Sequence, residues 1–235
     1  MTRLGITFNG KHSYRDFYLT LAERSIGNPK KIKVKERVPF SNKTYDFSGI
    51  YGEQEYEERQ LTYVFNVKDY QKINLENKKT EVTNWLMQPN KKERLLDDYI
   101  PGYYFMAEVE ENIDFDEMRF NGKLTINFTA YPFRIAKLQE GNDIWDEFNF
   151  LLDCAQQTEF NVSGSLNISL YNPGVKVSYP LIKATAQMDI TKNGVVYGVP
   201  IGESQSYDFA LSPGKNALKI TGNGTISFHF RKELI

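Results

Sequence analysis

Apolar and polar residues alternate along much of the chain. Leu61, Tyr63, Phe65 and Val67 share one parity, as do Tyr103, Phe105, Ala107 and Val109, and then Leu124, Ile126, Phe128 and Ala130. A period of two turns one set of side chains toward a core and the other toward water, so each run predicts a half-buried strand. Ile32, Val34, Val38 and Phe40 against Lys31, Lys33, Lys35 and Arg37 predict a further one. Asn9-Gly10, Asn121-Gly122 and Asn193-Gly194 supply residues that tolerate positive φ and predict hairpin turns, with Ser212-Pro213-Gly214-Lys215 as a longer turn. The first half therefore reads as mostly antiparallel β.

Two segments break this period. Between Asn77 and Pro89, Val82, Trp85 and Leu86 are spaced i, i+3, i+4, which predicts one short helix capped at Asn77 and stopped by Pro89. Over residues 142–156, Ile144, Phe148, Leu151, Leu152 and Ala155 predict a second helix, with Asp143, Asp146 and Glu147 near its positive end. Charge then thins: residues 136–235 hold 8 Lys/Arg and 10 Asp/Glu, against 21 and 20 before them. A boundary near residue 135 is expected, dividing the chain into domains 1–135 and 136–235, the latter led by the second helix. Short strands are expected around residues 162–170, 175–182, 186–190, 195–197, 207–211, 218–220 and 225–230, a pattern of sandwiches and barrels.

Composition narrows the function classes. Of 235 residues, 40% are hydrophobic and 25% charged, the profile of a folded chain. Lys+Arg 29 against Asp+Glu 30 leaves net -1, so no overall field recruits nucleic acid or an anionic membrane. Partners must be recognised locally. The single Cys154 excludes an intrachain disulfide and a cysteine-rich metal site. The opening residues carry no apolar leader, and no stretch approaches the ~18 apolar residues of a membrane span. The expectation is a protein made in the cytoplasm and kept there until assembly or release.

Candidate chemistry is sparse. His12 and His229 have no second metal-type ligand at a recognisable spacing and read as structural. Cys154 lies beside the apolar stripe of the second expected helix, where a buried thiol fits better than a nucleophile. Asp97-Asp98, Asp114 with Asp116, and the Glu53–Glu58 run bring carboxylates close in sequence, which says nothing of the spacing that a hydrolase needs across a substrate. Gly222-Asn223-Gly224 has no following helix and no closing Lys-Ser/Thr, and reads as a turn rather than a phosphate loop. No catalytic, metal or cofactor residue is assigned, and the chain is not expected to be an enzyme.

The order of segments carries more than any single residue. Gly5-Ile6-Thr7-Phe8-Asn9-Gly10, Val38-Pro39-Phe40-Ser41 leading into Tyr45-Asp46-Phe47-Ser48, and Glu58-Arg59-Gln60-Leu61-Thr62-Tyr63-Val64-Phe65 resemble the distal tail protein (Dit) family of long-tailed phages of Gram-positive bacteria. Asp97-Asp98 before Pro101-Gly102-Tyr103-Tyr104-Phe105, and Gly122-Lys123-Leu124 through Tyr131-Pro132-Phe133, are similar to the rest of that family's N-terminal domain. Asn142–Phe150 resembles a segment between the domains of some members. Asn172-Pro173-Gly174, Tyr179-Pro180-Leu181-Ile182, Leu211-Ser212-Pro213-Gly214-Lys215-Asn216 and Thr221-Gly222-Asn223-Gly224-Thr225 resemble its C-terminal β-sandwich.

That resemblance implies a mainly β fold: an N-terminal β-sandwich-like domain with one helix, and a C-terminal galectin-like antiparallel β-sandwich. It implies a hexameric ring at the virion tail tip, linking the tail tube protein to the tail-associated or tail-fibre protein and, in many phages, anchoring receptor-binding proteins. No cofactor, membrane or nucleic-acid sequence recognition is implied.

A ring of more than two subunits needs two different complementary patches per subunit. Tyr51, Glu53, Glu55, Tyr56 and Glu57 supply one candidate patch, with tyrosine anchors and a carboxylate rim, and Lys31, Lys33, Lys35 and Arg37 of a neighbour the other. The competing reading is a carbohydrate-binding module using Tyr171, Tyr179, Tyr197 or Tyr207 as a platform for cell-surface sugars.

Overall fold

The computed structural model describes every residue except 1–2, 51, 69–71, 111–112, 118–120 and 145–147. The chain divides into two units, residues 1–134 with 235 and residues 135–234. The first contains β1 (Ile6–Phe8), β2 (Lys11–His12), α1 (Ser13–Phe17), β3 (Thr20–Ile26), β4 (Lys35–Arg37), β5 (Thr44–Asp46), β6 (Arg59–Lys68), α2 (Lys72–Met87), β7 (Glu93–Asp97), β8 (Tyr103–Glu108), β9 (Asp114–Glu117) and β10 (Asn121–Ala130). Its strands run β2-β1-β7-β8-β10-β6-β3, with β9 also on β10, and β4 pairs only with β5.

The core follows from the alternation. β6 and β10 pair antiparallel over their full length, placing Leu61 opposite Phe128, Tyr63 opposite Ile126 and Phe65 opposite Leu124, and all six side chains are buried. Phe128 stands edge-on to Phe8 at 5.1 Å and to Tyr63 at 5.9 Å, geometries that aromatic quadrupoles favour. The Tyr63 hydroxyl donates to Asp97 Oδ2 at 3.0 Å, and Arg24 Nε lies 3.3 Å from the same oxygen, so the buried Asp97 carboxylate is paired. Burial first, and then the Asp97 charge, raise the Tyr63 hydroxyl far above its ordinary range and keep it a donor.

α2 begins earlier than its sequence pattern marks, because Leu75 already faces the core with Val82, Trp85 and Leu86. Asn77 is therefore interior to the helix, and Pro89 lies just beyond its end. Trp85 Nε1 donates to Phe8 O at 2.7 Å, fastening α2 to β1. α1 is a further short helix in this unit. His12 caps it: Nδ1 accepts from the Tyr14 and Arg15 amides, so the ring proton sits on Nε2, 2.9 Å from Asp98 Oδ2. Asn9-Gly10 forms its hairpin turn, with φ of 43° and 72°. Asn121-Gly122 does not; both residues lie in β10, where a Cβ on Gly122 would stand 2.7 Å from the Phe115 ring.

The second unit follows β11 (Arg134–Ala136) and contains β12 (Glu159–Asn172), β13 (Leu181–Ala184), β14 (Met188–Lys192), β15 (Val195–Val199), β16 (Gly202–Ser204), β17 (Gly214–His229) and β18 (Glu233–Leu234). The sheet runs β15-β14-β17-β13-β16, and β12 covers the other edge of β17. Instead of uniformly short strands, β12 and β17 have 14 and 16 residues and pair from Glu159↔Ser227 to Asn172↔Gly214. The segments 218–220 and 225–230 thus belong to one strand, while 207–211 contributes only a bridge from Leu211 to Ser178. Gly222-Asn223-Gly224 is the middle of β17 rather than a turn. Its glycines have φ of 143° and 141°, and added Cβ atoms would meet Met188 Cγ at 2.8 Å and Thr185 Oγ1 at 2.6 Å. β14 pairs with residues 219–221 and β13 with residues 226–229, so the two share one edge of β17.

The helix expected over 142–156 is absent among the described residues, Trp145, Asp146 and Glu147 lying outside them. Asn and Asp side chains take the backbone groups that a helix would use: Asn142 Oδ1 accepts from Ile144 N, Asn149 Oδ1 from Leu151 N, and Asp153 Oδ2 from Asn149 N. Phe150 and Leu151 are exposed, so no core draws the apolar stripe inward. Lys232, itself buried, holds the segment by donating to Leu152 O at 3.1 Å and pairing with Asp153. Burial raises the pKa of nearby Glu140, against the opposing Lys232 charge, and burial lowers that of Lys232.

Two outcomes are expected. Phe128→Ala should destabilise the first unit by about 3–5 kcal/mol, read from urea dependence of hydrogen exchange at β6 and β10 amides. Glu140 has a folded pKa above its ordinary, unfolded value, so the stability it contributes is full below that ordinary value and is lost as pH rises through the folded pKa. Thermal melts of the second unit should decline over this window in the wild type, and Glu140→Gln should remove that part of the decline.

Candidate functional site

Residues 28–58 form an arm between β3 and β6. These two strands are neighbours, Ile26 pairing with Leu61, and Gly27 N donates to Gln60 O at 3.0 Å, so the chain leaves and re-enters the sheet at adjacent points. Glu57 N then donates to Lys30 O at 2.7 Å, Lys31 and Tyr56 form an antiparallel bridge, and Ile32 N donates to Glu55 O at 2.9 Å. Gln54 Nε2 reinforces this join by donating to Ile32 O and Glu55 O, both at 2.7 Å. Farther out Phe47 N donates to Val34 O, and β4 pairs with β5 as Lys35↔Asp46, Glu36↔Tyr45 and Arg37↔Thr44. The two strands close at Val38-Pro39-Phe40-Ser41, where Ser41 N donates to Val38 O.

The start of the basic stripe and the end of the acidic, tyrosine-rich segment therefore lie side by side within one chain, at Lys31 and Tyr56 and at Ile32 and Glu55. Glu57 pairs with Lys30 at 3.4 Å, Lys33 pairs with Asp46 at 3.1 Å, and Lys35 and Arg37 lie on β4. Tyr56 packs edge-on to Phe133 at 5.3 Å and roots the arm in the first unit. Glu53 and Glu55 lie on the returning segment between β5 and β6, and Tyr51 is outside the described residues. The antiparallel return of the chain brings these groups together, a pairing that composition alone does not reveal.

The arm is not the half-buried strand that its alternation predicts. Both parities are exposed from Lys31 to Arg37, because no sheet or helix lies beneath β4 and β5. Ile32, Val34, Phe40, Tyr45, Phe47 and Ile50 all present apolar surface to water. Exposed ion pairs such as Lys30–Glu57 contribute little, so the arm is held mainly by its backbone ladder and by Ser48 and Asp46. Ser48 Oγ accepts from Val34 N at 2.9 Å, and Asp46 Oδ1 accepts from both Ser48 N and Ser48 Oγ. Those Ser48 hydrogen bonds, then Lys33, hold the Asp46 carboxyl well below the usual carboxylate range.

Other candidates have structural partners. His229 bonds to Ser227 Oγ and Gln139 Oε1, each at 3.0 Å. Among the described residues no group of three or more His, Cys, Asp or Glu could hold a metal. Burial, and next the charge of Glu140, push the Cys154 thiol up, away from reactive thiolate character. Tyr197 packs on Phe209 at 5.3 Å, Tyr179 and Tyr207 stand edge-on to each other at 5.2 Å on the surface, and Tyr171 is exposed.

Residues 23–130 match the model of the phage tail protein RIFT-related domain. The matched segment contains both the β6–β10 ladder and the arm. Across its full length the chain has the fold of the Dit protein of phage SPP1, whose structure is described as a paradigm of the hub adsorption apparatus in phages infecting Gram-positive bacteria. The likeness has a TM-score of 0.70 at 14% identity and covers 100% of both chains. A chain of the phage P2 baseplate in its activated conformation with Ca aligns at 8% identity over 99% of this chain and 98% of that one, with a TM-score of 0.43, too low to carry an argument. No curated protein matches the chain in sequence. The resemblance to distal tail proteins drawn from segment order thus stands on the domain match and on the fold.

Asp46→Ala should speed amide exchange at Val34 and Ser48 while leaving β6 amides unchanged, as measured by hydrogen-exchange mass spectrometry. Equal exchange in both proteins would show that the Ser48–Asp46 cluster does not order the arm.

Proposed function

We propose that the chain is a structural subunit of a phage tail-tip hub. Six copies close a ring that joins the tail tube protein to the tail-associated or tail-fibre protein, and the ring offers an anchoring point for receptor-binding proteins. The first unit forms the ring and docks on the tube, and the second faces outward. The observation that carries this reading is the match of residues 23–130 to a phage tail domain. The full-length likeness to SPP1 Dit supports it through that protein's described place in a hub adsorption apparatus.

The arm suits a ring subunit on physical grounds. A cyclic assembly uses two different surfaces per copy, and a monomeric protein seldom leaves a two-stranded, aromatic-rich ribbon without cover. Lys31, Lys33, Lys35, Arg37, Glu53, Glu55, Tyr56 and Glu57 act in this reading as parts of one brace, whose outer face meets a neighbour. The chemistry required is surface complementarity alone, with no substrate and no cofactor.

Negative-stain electron microscopy of the purified chain over a concentration series, with light-scattering mass in parallel, tests the reading. Six-fold rings with an open centre and the mass of six chains are expected. A strict monomer at every concentration, with or without added tail tube protein, would overturn it.

A further inference from the structure

The tip of the arm contains a residue that its own chain does not explain. Pro39 and Phe40 occupy the two central positions of the Val38–Ser41 turn, and Phe40 has φ of 59°. Proline followed by positive φ defines a type II turn, whose second central position favours glycine because a side chain there is strained. Phe40 is nevertheless a large aromatic and is 111% exposed, so neither turn geometry nor burial within this chain favours it. The same tip carries Lys35, Arg37 and Lys43.

The first unit also holds an aromatic-floored depression between α1 and the end of α2. Phe17 and Trp85, both nearly buried, stack beneath it with centroids 4.6 Å apart, and Lys11, Asp16, Glu81, Asn84, Met87 and Gln88 line the rest of an open cavity of about 810 Å³. Its two carboxylates, offset in part by Lys11 and with Asp16 Oδ2 also accepting from His12 N at 2.6 Å, complement a cationic tip, and Lys11 Nζ, 5.4 Å from the Phe17 ring centroid, can face a second ring. An arm strand from Lys30 to Pro39 reaches on the order of 30 Å, enough to cross to an adjoining subunit.

Resting on the ring reading above, we propose that Phe40 of each subunit inserts into the Phe17–Trp85 depression of the next copy of this chain. Lys35, Arg37 and Lys43 then lie against the rim carboxylates. The contact is heterologous, tip to depression, as closure of a ring requires. Phe40 is its aromatic anchor, and the turn accepts local strain in order to present the ring.

The test uses the full chain with Cys154→Ser, which removes the only native thiol. Adding Phe40→Cys and Met87→Cys together should give, on mild oxidation, a covalent ladder that ends at the ring, because disulfides form only between closely approaching residues. Each single variant should give none. Phe40→Gly, which relieves the turn, should leave the thermal midpoint of the unassembled chain unchanged or higher while moving half-assembly to roughly thirty-fold higher concentration. Rings that form normally in Phe40→Gly, with no tip-to-depression cross-link in the double-cysteine chain, would overturn this contact and leave the ring reading intact. A wild-type chain that never assembles would overturn both.

Discussion

The antiparallel ladder between β6 and β10 is the constraint on which the first unit depends. Its register places Leu61, Tyr63, Phe65, Leu124, Ile126 and Phe128 on one face, and a slip of one residue would bury Thr62, Asn66, Thr125 and Asn127 instead. Phe8, Trp85 and the paired Asp97 are positioned by that face. Because β3 lies beside β6, the chain between them must go out and come back, closing at Gly27 and Gln60. The core is complete without those residues. The arm is therefore free to carry surface whose partner lies outside the unit.

That division of labour accounts for the character of the arm. Its charges pair locally, Lys30 with Glu57 and Lys33 with Asp46, in settings where solvent screens them. Its apolar residues do not pack into the core, and the largest stands at the tip in a conformation that glycine would adopt with less strain. Local hydrogen bonds set the shape of the ribbon, and its aromatic surface stays uncovered. In the second unit the β12–β17 ladder and the Lys232 anchor supply the order.

Much of the sheet was legible in the sequence because one-sided burial writes itself as a period of two: residues 61–67, 103–107 and 124–130 are strands whose alternate residues are buried. The stripe Val82, Trp85 and Leu86 marked α2 for the same reason, with a period of 3.6. Periodicity fails where nothing covers the patterned face. Residues 32–40 alternate without a sheet beneath them, and residues 142–156 show helical spacing while the Asn149 and Asp153 side chains accept from the Leu151 and Asn149 amides. Gly222 and Gly224 read as turn residues, yet they permit a close approach by Met188 and Thr185 that only the folded chain shows. In the candidate site, the basic and acidic segments were visible, but not that Lys30 and Lys31 lie beside Glu57 and Tyr56 within one chain. Phe40 read as a strand residue facing a core, whereas it stands exposed with positive φ after Pro39.

Hydrogen-exchange mass spectrometry on the wild-type chain, compared between dilute monomer and assembled ring, bears most directly on the claim that the arm is an intersubunit brace. Strong slowing of exchange over residues 33–47 on assembly, with β6 and β10 unchanged because they are already protected, is the result that the claim requires. Equal exchange of the arm in the two states, with protection gained elsewhere, would contradict it.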